Sequence, residues 1–202
     1  MKKIVYLALL STLFLHSKGV KTTEPQHSFG IEFNPIKALM FREEEATYSG
    51  TFSYFNHNDS TEISVPWLYY SRDNALDEFE KNDDKQTSIL VDLHYRKYFS
   101  PHTEGAYVGT FARYAHLSGT SRESNGQNHF TVVDKFGLGF EIGYKIKNIF
   151  DTPFYYGMSF ALGGYLTNNN NTFSSLDDLS SFAIDDYQRI VDIELFKIGY
   201  EF

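Results

Sequence analysis

The sequence predicts an all-β protein, an eight-stranded antiparallel up-and-down transmembrane β-barrel occupying residues 20–202. Three observations predict it. Apolar and polar residues alternate with period two through eight segments, the mark of strands with one greasy face. From the second onward, the connections between segments run alternately short and long. Beyond the leader, no run of about 18 apolar residues exists to form a membrane helix. Aromatics nevertheless make up 17% of the chain, with 15 Tyr and 19 Phe. The mean hydropathy of −0.37 reads as soluble on its own. A barrel reconciles the two values, because only alternate strand residues face lipid.

Residues 1–19 are expected to be a cleaved secretory signal. Lys2 and Lys3 form the charged start, Ile4 to Leu15 the apolar stretch, and a small-residue cleavage site follows near Ser17 or Gly19. Twelve apolar residues are too few to span a bilayer, which argues against an N-terminal anchor. The chain has no cysteine, so it forms no disulfide and carries no lipidated cysteine. Its formal charge is −8; without Lys2, Lys3 and Lys18 fifteen bases face 26 acids, or −11. That balance argues against nucleic acid as a partner.

The strands follow in order. The first turns Phe29, Ile31 and Phe33 outward and Glu32 inward; the second sets Tyr48, Phe52 and Tyr54 against Thr47, Ser49, Thr51 and Ser53. The third offers Ile63, Val65, Trp67 and Tyr69 outward. In the fourth, Ile89, Val91, Leu93 and Tyr95 oppose Leu90, Asp92, His94, Arg96 and Tyr98. In the fifth, over 106–117, Val108, Thr110, Ala112 and Tyr114 are taken outward and Arg113 inward. The sixth is the clearest: Phe136, Leu138, Phe140, Ile142, Tyr144 and Ile146 share one face, with Lys135, Gly137, Gly139, Glu141, Gly143 and Lys145 on the other. Open solvent does not demand glycine at half of a polar face, whereas a narrow lumen does. The seventh places Phe154, Tyr156, Met158, Phe160 and Leu162 outward, over an inward set of mostly small residues. The eighth loses phase between Leu195 and Phe196, which predicts a bulge. Pro35 and Pro66 cannot donate to a ladder, so strands one and three are expected to bulge or end there.

The connections are 42–45, 56–60, 73–85, 100–103, 118–128, 148–153 and 168–186. Membrane barrels have short periplasmic turns and longer external loops, so both termini are expected to be periplasmic. Tyr54, Tyr95, Tyr107, Tyr144, Phe154, Tyr156, Tyr200 and Phe202 fall at the predicted periplasmic strand ends, and Trp67, Tyr69 and Tyr114 toward the opposite rim. Amphipathic rings settle at headgroup level. The chain closes on Phe196-Lys197-Ile198-Gly199-Tyr200-Glu201-Phe202, apolar at alternate positions and ending on an aromatic. In these features 27–202 resembles the small eight-stranded outer-membrane barrels around OmpA, OmpX and OmpW. The resemblance implies a bacterial outer-membrane location and a C-terminal signal, at Tyr200 and Phe202, read by the barrel-assembly machinery.

The inward charges are Glu32, Arg72, Asp92, His94, Arg96, Arg113, Lys135, Glu141, Lys145, Lys197 and Glu201. Unpaired burial of any of them costs several kcal/mol, so a linked ion network filling the lumen is expected, with Asp92 beside Arg113 across the turn near Pro101. His116-Leu117-Ser118 resembles the His-x-Ser element of outer-membrane lipid A deacylases, which implies an esterase with Asp134 or Glu123 as the orienting acid. Gly119 stands where that family carries Asn. The acidic loop residues Glu43, Glu44, Glu45, Asp73, Asp77, Glu78, Glu80, Asp83, Asp84, Asp177, Asp178, Asp185 and Asp186 could share divalent cations with lipopolysaccharide phosphates. No phosphate loop, zinc motif or haem motif occurs, so no cofactor is expected. The favoured expectation is a non-enzymatic barrel with a structural or surface-interaction role. The alternatives are a lipid A esterase and a soluble lipocalin-like carrier, the latter requiring an apolar interior.

Overall fold

In the computed structural model the described residues are 26–35, 45–73, 85–122, 128–166, 183–185 and 189–202. The expected signal and most of the acidic loop residues lie outside them. Nine strands follow in chain order: β1 (His27–Phe33), β2 (Glu45–Asn56), β3 (Thr61–Asp73), β4 (Lys85–Tyr98), β5 (Gly105–Arg122), β6 (Asn128–Ile146), β7 (Phe154–Tyr165), β8 (Ala183–Asp185) and β9 (Arg189–Glu201). Each wall strand pairs antiparallel with the next, and β9 returns to pair with β1. The wall is therefore a closed eight-stranded up-and-down barrel. Closure satisfies both edges of every strand, the requirement that an open sheet fails in hydrocarbon. The three-residue β8, inside the expected last loop, adds only a short hairpin to β9 from Ala183↔Asp192 to Asp185↔Ile190.

The facing of the side chains decides which solvent the wall suits. Phe136 is 54% exposed and Phe140 73%, while Glu141 on the same strand is 1% exposed and Asp92 on β4 5%. Apolar side chains thus cover the outside and ionic ones the inside, the reverse of a lipocalin-like carrier. On β5 the expected phase holds: Phe111, Arg113 and Ala115 are buried and Val108 is exposed. Tyr107 departs from its expected place in the outer girdle. Its phase on β5 turns it into the lumen, where it is buried and its hydroxyl donates to Glu141 Oε1 at 2.9 Å.

The two prolines behave differently. After Phe33 the strand ends, and the chain leaves the wall through Asn34 and Pro35, so β1 is short. Pro66 stays within β3, paired with Thr51. Its missing N–H is accommodated on the β4 side, where pairing lapses between Ser64↔His94 and Trp67↔Val91 and resumes in the same register. The expected bulge on the last strand is present. The β7–β9 register shifts between Gly157 and Ser159, and both Leu195 and Phe196 face outward.

The connection over 118–128 is a second departure. The ladder between β5 and β6 continues to Arg122↔Asn128, so Ser118 lies within a strand. At the opposite end the turns are tight and use left-handed backbone at Ser60, His102, Thr103, Asn148, Phe150 and Asp151. Each such residue costs about 1–2 kcal/mol unless it is Gly, Asn or Asp. Below, this is the turn end and the other the loop end.

Glycines let aromatic rings lie flat across the lumen. A side chain at Gly139 or Gly163 would meet the Phe111 ring, at Gly143 the Tyr107 ring, and at Gly199 the Tyr155 ring. The Tyr155 hydroxyl also comes within 3.1 Å of where a side chain on Gly30 would begin. Tyr155 therefore reaches from β7 across β9 to β1. Outside the barrel, Trp67 covers Gly50 in the same manner.

Candidate functional site

Inward positions on β1, β3, β4, β5, β6 and β9 converge on one lumen. Toward the loop end it is apolar: Tyr70, Leu117 and Val133 cluster, as do Phe111, Ala161 and Ile190 with Tyr165 beside them. Ionic groups follow. Arg113 holds Asp92 in a fork, Nε to Oδ1 at 2.9 Å and Nη2 to Oδ2 at 2.7 Å, and also reaches Asp192 at 3.2 Å. The direct cross-strand pairing Asp92↔Arg113 makes this fork possible. Next along β4, His94 stands between two carboxylates, its Nδ1 against Glu141 and its Nε2 3.4 Å from Asp92.

The centre of the lumen is built on Glu62 and Glu141. Arg96 Nη1 donates to Glu62 Oε1 at 2.7 Å, Lys145 Nζ to Oε2 at 2.6 Å and Ser53 Oγ to Oε1 at 3.0 Å. Tyr98 also donates to Glu62. Arg96 Nε reaches Glu141 Oε2 at 3.2 Å, so one guanidinium joins the two carboxylates. Lys197 pairs with Glu194 at 2.7 Å and stands 3.9 Å from Glu141. Lys145 lies between rings, 4.3 Å from the centroid of Phe55, 4.5 Å from Tyr155 and 5.5 Å from Tyr98. A cation held over ring faces is attracted by their quadrupoles. Glu32 is held more loosely, 3.5 Å from Ser53, 3.8 Å from Arg96 and 3.9 Å from Lys145. Lys135 lies over the Tyr165 ring at 4.9 Å.

At the turn end a second cluster closes the mouth. Ser28 donates to Glu201 Oε1 at 2.6 Å, His57 Nε2 lies 2.9 Å from the same oxygen, and Lys147 Nζ lies 2.9 Å from Oε2. Thr103 meets the other ring nitrogen of His57 at 3.1 Å.

The structure thus brings together Glu32, Asp92, His94, Arg96, Arg113, Glu141, Lys145 and Lys197, and sets Glu201 apart at the mouth. The side chain of Arg72 lies outside the described ones. Sequence reasoning missed Glu62, which is fully buried and central. Its signal was available, since Ile63 facing outward sends Glu62 inward. It also missed Asp192, Glu194 and His57; the last sits in a turn, where no strand phase reveals direction.

On the outer wall near the loop end, His116 and Asp134 are cross-strand partners, with Nδ1 2.7 Å from Oδ1. Tyr114 donates to the same oxygen at 2.7 Å. Asp134 sits between the outward Phe136 and Val132 on β6. Ser118, two residues along the same face, makes no hydrogen bond to His116 among the described residues. Glu123 lies outside the described residues. A nucleophile needs its base within hydrogen-bond reach, so the structure assembles the His–acid half of a triad and not the serine half.

No protein-family model matches the chain, and no curated protein matches its sequence. Among solved structures it is similar to the N-terminal β-barrel domain of Pseudomonas aeruginosa OprF, at 15% identity. The likeness covers 87% of this chain and 97% of that domain, with a TM-score of 0.43.

Proposed function

We propose that this chain is an integral barrel of a bacterial outer membrane, of the OmpA, OmpX and OmpW kind, with a structural or surface-interaction role. One observation carries the reading: a closed wall with apolar side chains outside and an ionic, hydrogen-bonded lumen inside. Such a wall is insoluble in water and matched to hydrocarbon. Eight strands leave room for little more than their own side chains, and here these are linked across the lumen, so the barrel is plugged to diffusion. On this reading both termini are periplasmic, lipid and lipopolysaccharide surround the wall, and Tyr200 and Phe202 present the assembly signal. Divalent cations at the acidic loops belong to the same proposal.

The single tryptophan makes the test direct. Trp67 faces outward on β3. Reconstituted in vesicles with brominated acyl chains, its fluorescence should be quenched, and unheated protein should migrate differently from heated protein on a detergent gel. Unquenched Trp67, or identical migration, would overturn the membrane reading.

A second reading rests on the His116–Asp134 pair. Together with Ser118 it would cleave an ester of a lipid arriving along the wall, once Ser118 rotates toward His116 Nε2. Mass spectrometry of lipid A from cells with and without the gene tests it: a lost acyl chain that Ser118→Ala restores supports the esterase, and unchanged lipid A dismisses it.

A further inference from the structure

The turn joining β6 to β7 carries a cost that its own fold does not return. Asn148, Phe150 and Asp151 all have left-handed backbone, with Phe150 at φ 56 and ψ 35. Asn and Asp adopt this conformation readily, because their short side chains bond locally. A bulky aromatic does not, and in this region it is an outlier. Glycine would serve the turn better, so the backbone alone gives no reason for a phenylalanine. Packing gives none either, since Phe150 is 94% exposed, the most of any large apolar residue among the described ones. The reason for the ring must lie outside the chain.

Its surroundings indicate what that is. Phe150 is flanked in sequence by Ile146 and Phe154, outward residues of β6 and β7 at the turn end. Phe154 packs edge-on against Tyr200 at 5.1 Å, and Tyr200 stacks with Phe202 at 6.5 Å. Phe99 and Phe202 are also strongly exposed at this end. Aromatic rings collect where hydrocarbon meets headgroups. The only basic neighbour in the turn, Lys147, is turned inward onto Glu201, which leaves the exposed tip without a cation for an acidic partner.

We propose that the Asn148–Asp151 turn is a lipid-interface anchor, in which the Phe150 ring enters the phospholipid headgroup layer and extends the aromatic girdle beyond the strand ends. Asn148 and Asp151 keep the flanks of the turn in water while the ring between them is buried. The anchor fixes the depth of the barrel on its β6–β7 side. It rests on the membrane reading above, and the test separates the two.

The protein carrying Phe150→Trp with Trp67→Phe is reconstituted in phosphatidylcholine vesicles brominated at shallow or deep positions, beside the native protein with Trp67. The anchor predicts blue-shifted emission from position 150, quenching by shallow bromines, and protection from aqueous acrylamide. Quenching of native Trp67 with water-like, acrylamide-sensitive emission from position 150 would overturn the anchor and leave the barrel in the membrane. That result would mean the turn projects into water, toward a soluble partner or none. Quenching at neither position would overturn both. Should Trp67→Phe impair folding, Phe150→Cys with an environment-sensitive dye reads the same depth, because the chain has no other cysteine.

Discussion

Replacing Glu62 by glutamine keeps the shape of the side chain and removes the charge that two buried cations share. Arg96 and Lys145 approach it at 2.7 and 2.6 Å. At an effective dielectric near 20, a unit pair at that separation is worth roughly 6 kcal/mol gross, most of it offset by desolvation. What matters is what each cation keeps afterwards. Arg96 retains Glu141 at 3.2 Å, whereas Lys145 is left with aromatic rings and Glu32 at 3.9 Å. Stranding one buried charge costs about 3–5 kcal/mol. Glu32→Gln weakens contacts of 3.5–3.9 Å to Ser53, Arg96 and Lys145 and should cost about 1 kcal/mol. Adding Lys145→Met to Glu62→Gln should recover much of the loss, since Phe55, Tyr98 and Tyr155 offer an apolar bed to methionine. Urea unfolding of the reconstituted protein, followed by Trp67 fluorescence and gel mobility, gives the values. Equal losses for the two glutamate variants, or no recovery in the double variant, would refute the reasoning.

A further prediction follows from the packing of the lumen. Gly139→Ala forces a methyl into the Phe111 ring and the Leu162 carbonyl and should destabilise by about 1–3 kcal/mol, whereas Gly157→Ala meets nothing nearer than 3.7 Å and should stay within about 0.5 kcal/mol.

The wall of this protein was legible because a strand buried on one side writes its phase directly into residue type. Phe136 to Ile146 fixed β6, and Asp92 opposite Arg113 followed from one short turn. The errors arose where residue type was allowed to outvote phase. Tyr107 looked like a girdle aromatic, yet the outward Val108 beside it leaves it only the lumen. Ser118 to Asn128 has the polar composition of a loop, but backbone hydrogen bonds between two strands need no apolar side chains, and the hairpin runs on. Glu62 was overlooked beside the turn, although the same alternation placed it. The partners of His57 were out of reach, since contacts made by a turn depend on how strands far apart in sequence are staggered.

The joint between β1 and β9 runs only from Phe29↔Phe202, which exchange both backbone hydrogen bonds, to Phe33↔Ile198, whereas β5 and β6 are zipped along their whole length. Ends so distant along the polymer meet at an entropic cost that grows with the loop they enclose. Here the shortest row of hydrogen bonds in the eight-stranded wall bears it. Tyr155, lying behind both strands like a bolt behind a door, and Ser28 on β1, donating to Glu201 on β9, fasten that joint from within. The ring of the cylinder is therefore finished by side chains as much as by backbone, and a pull on the wall should part it there first.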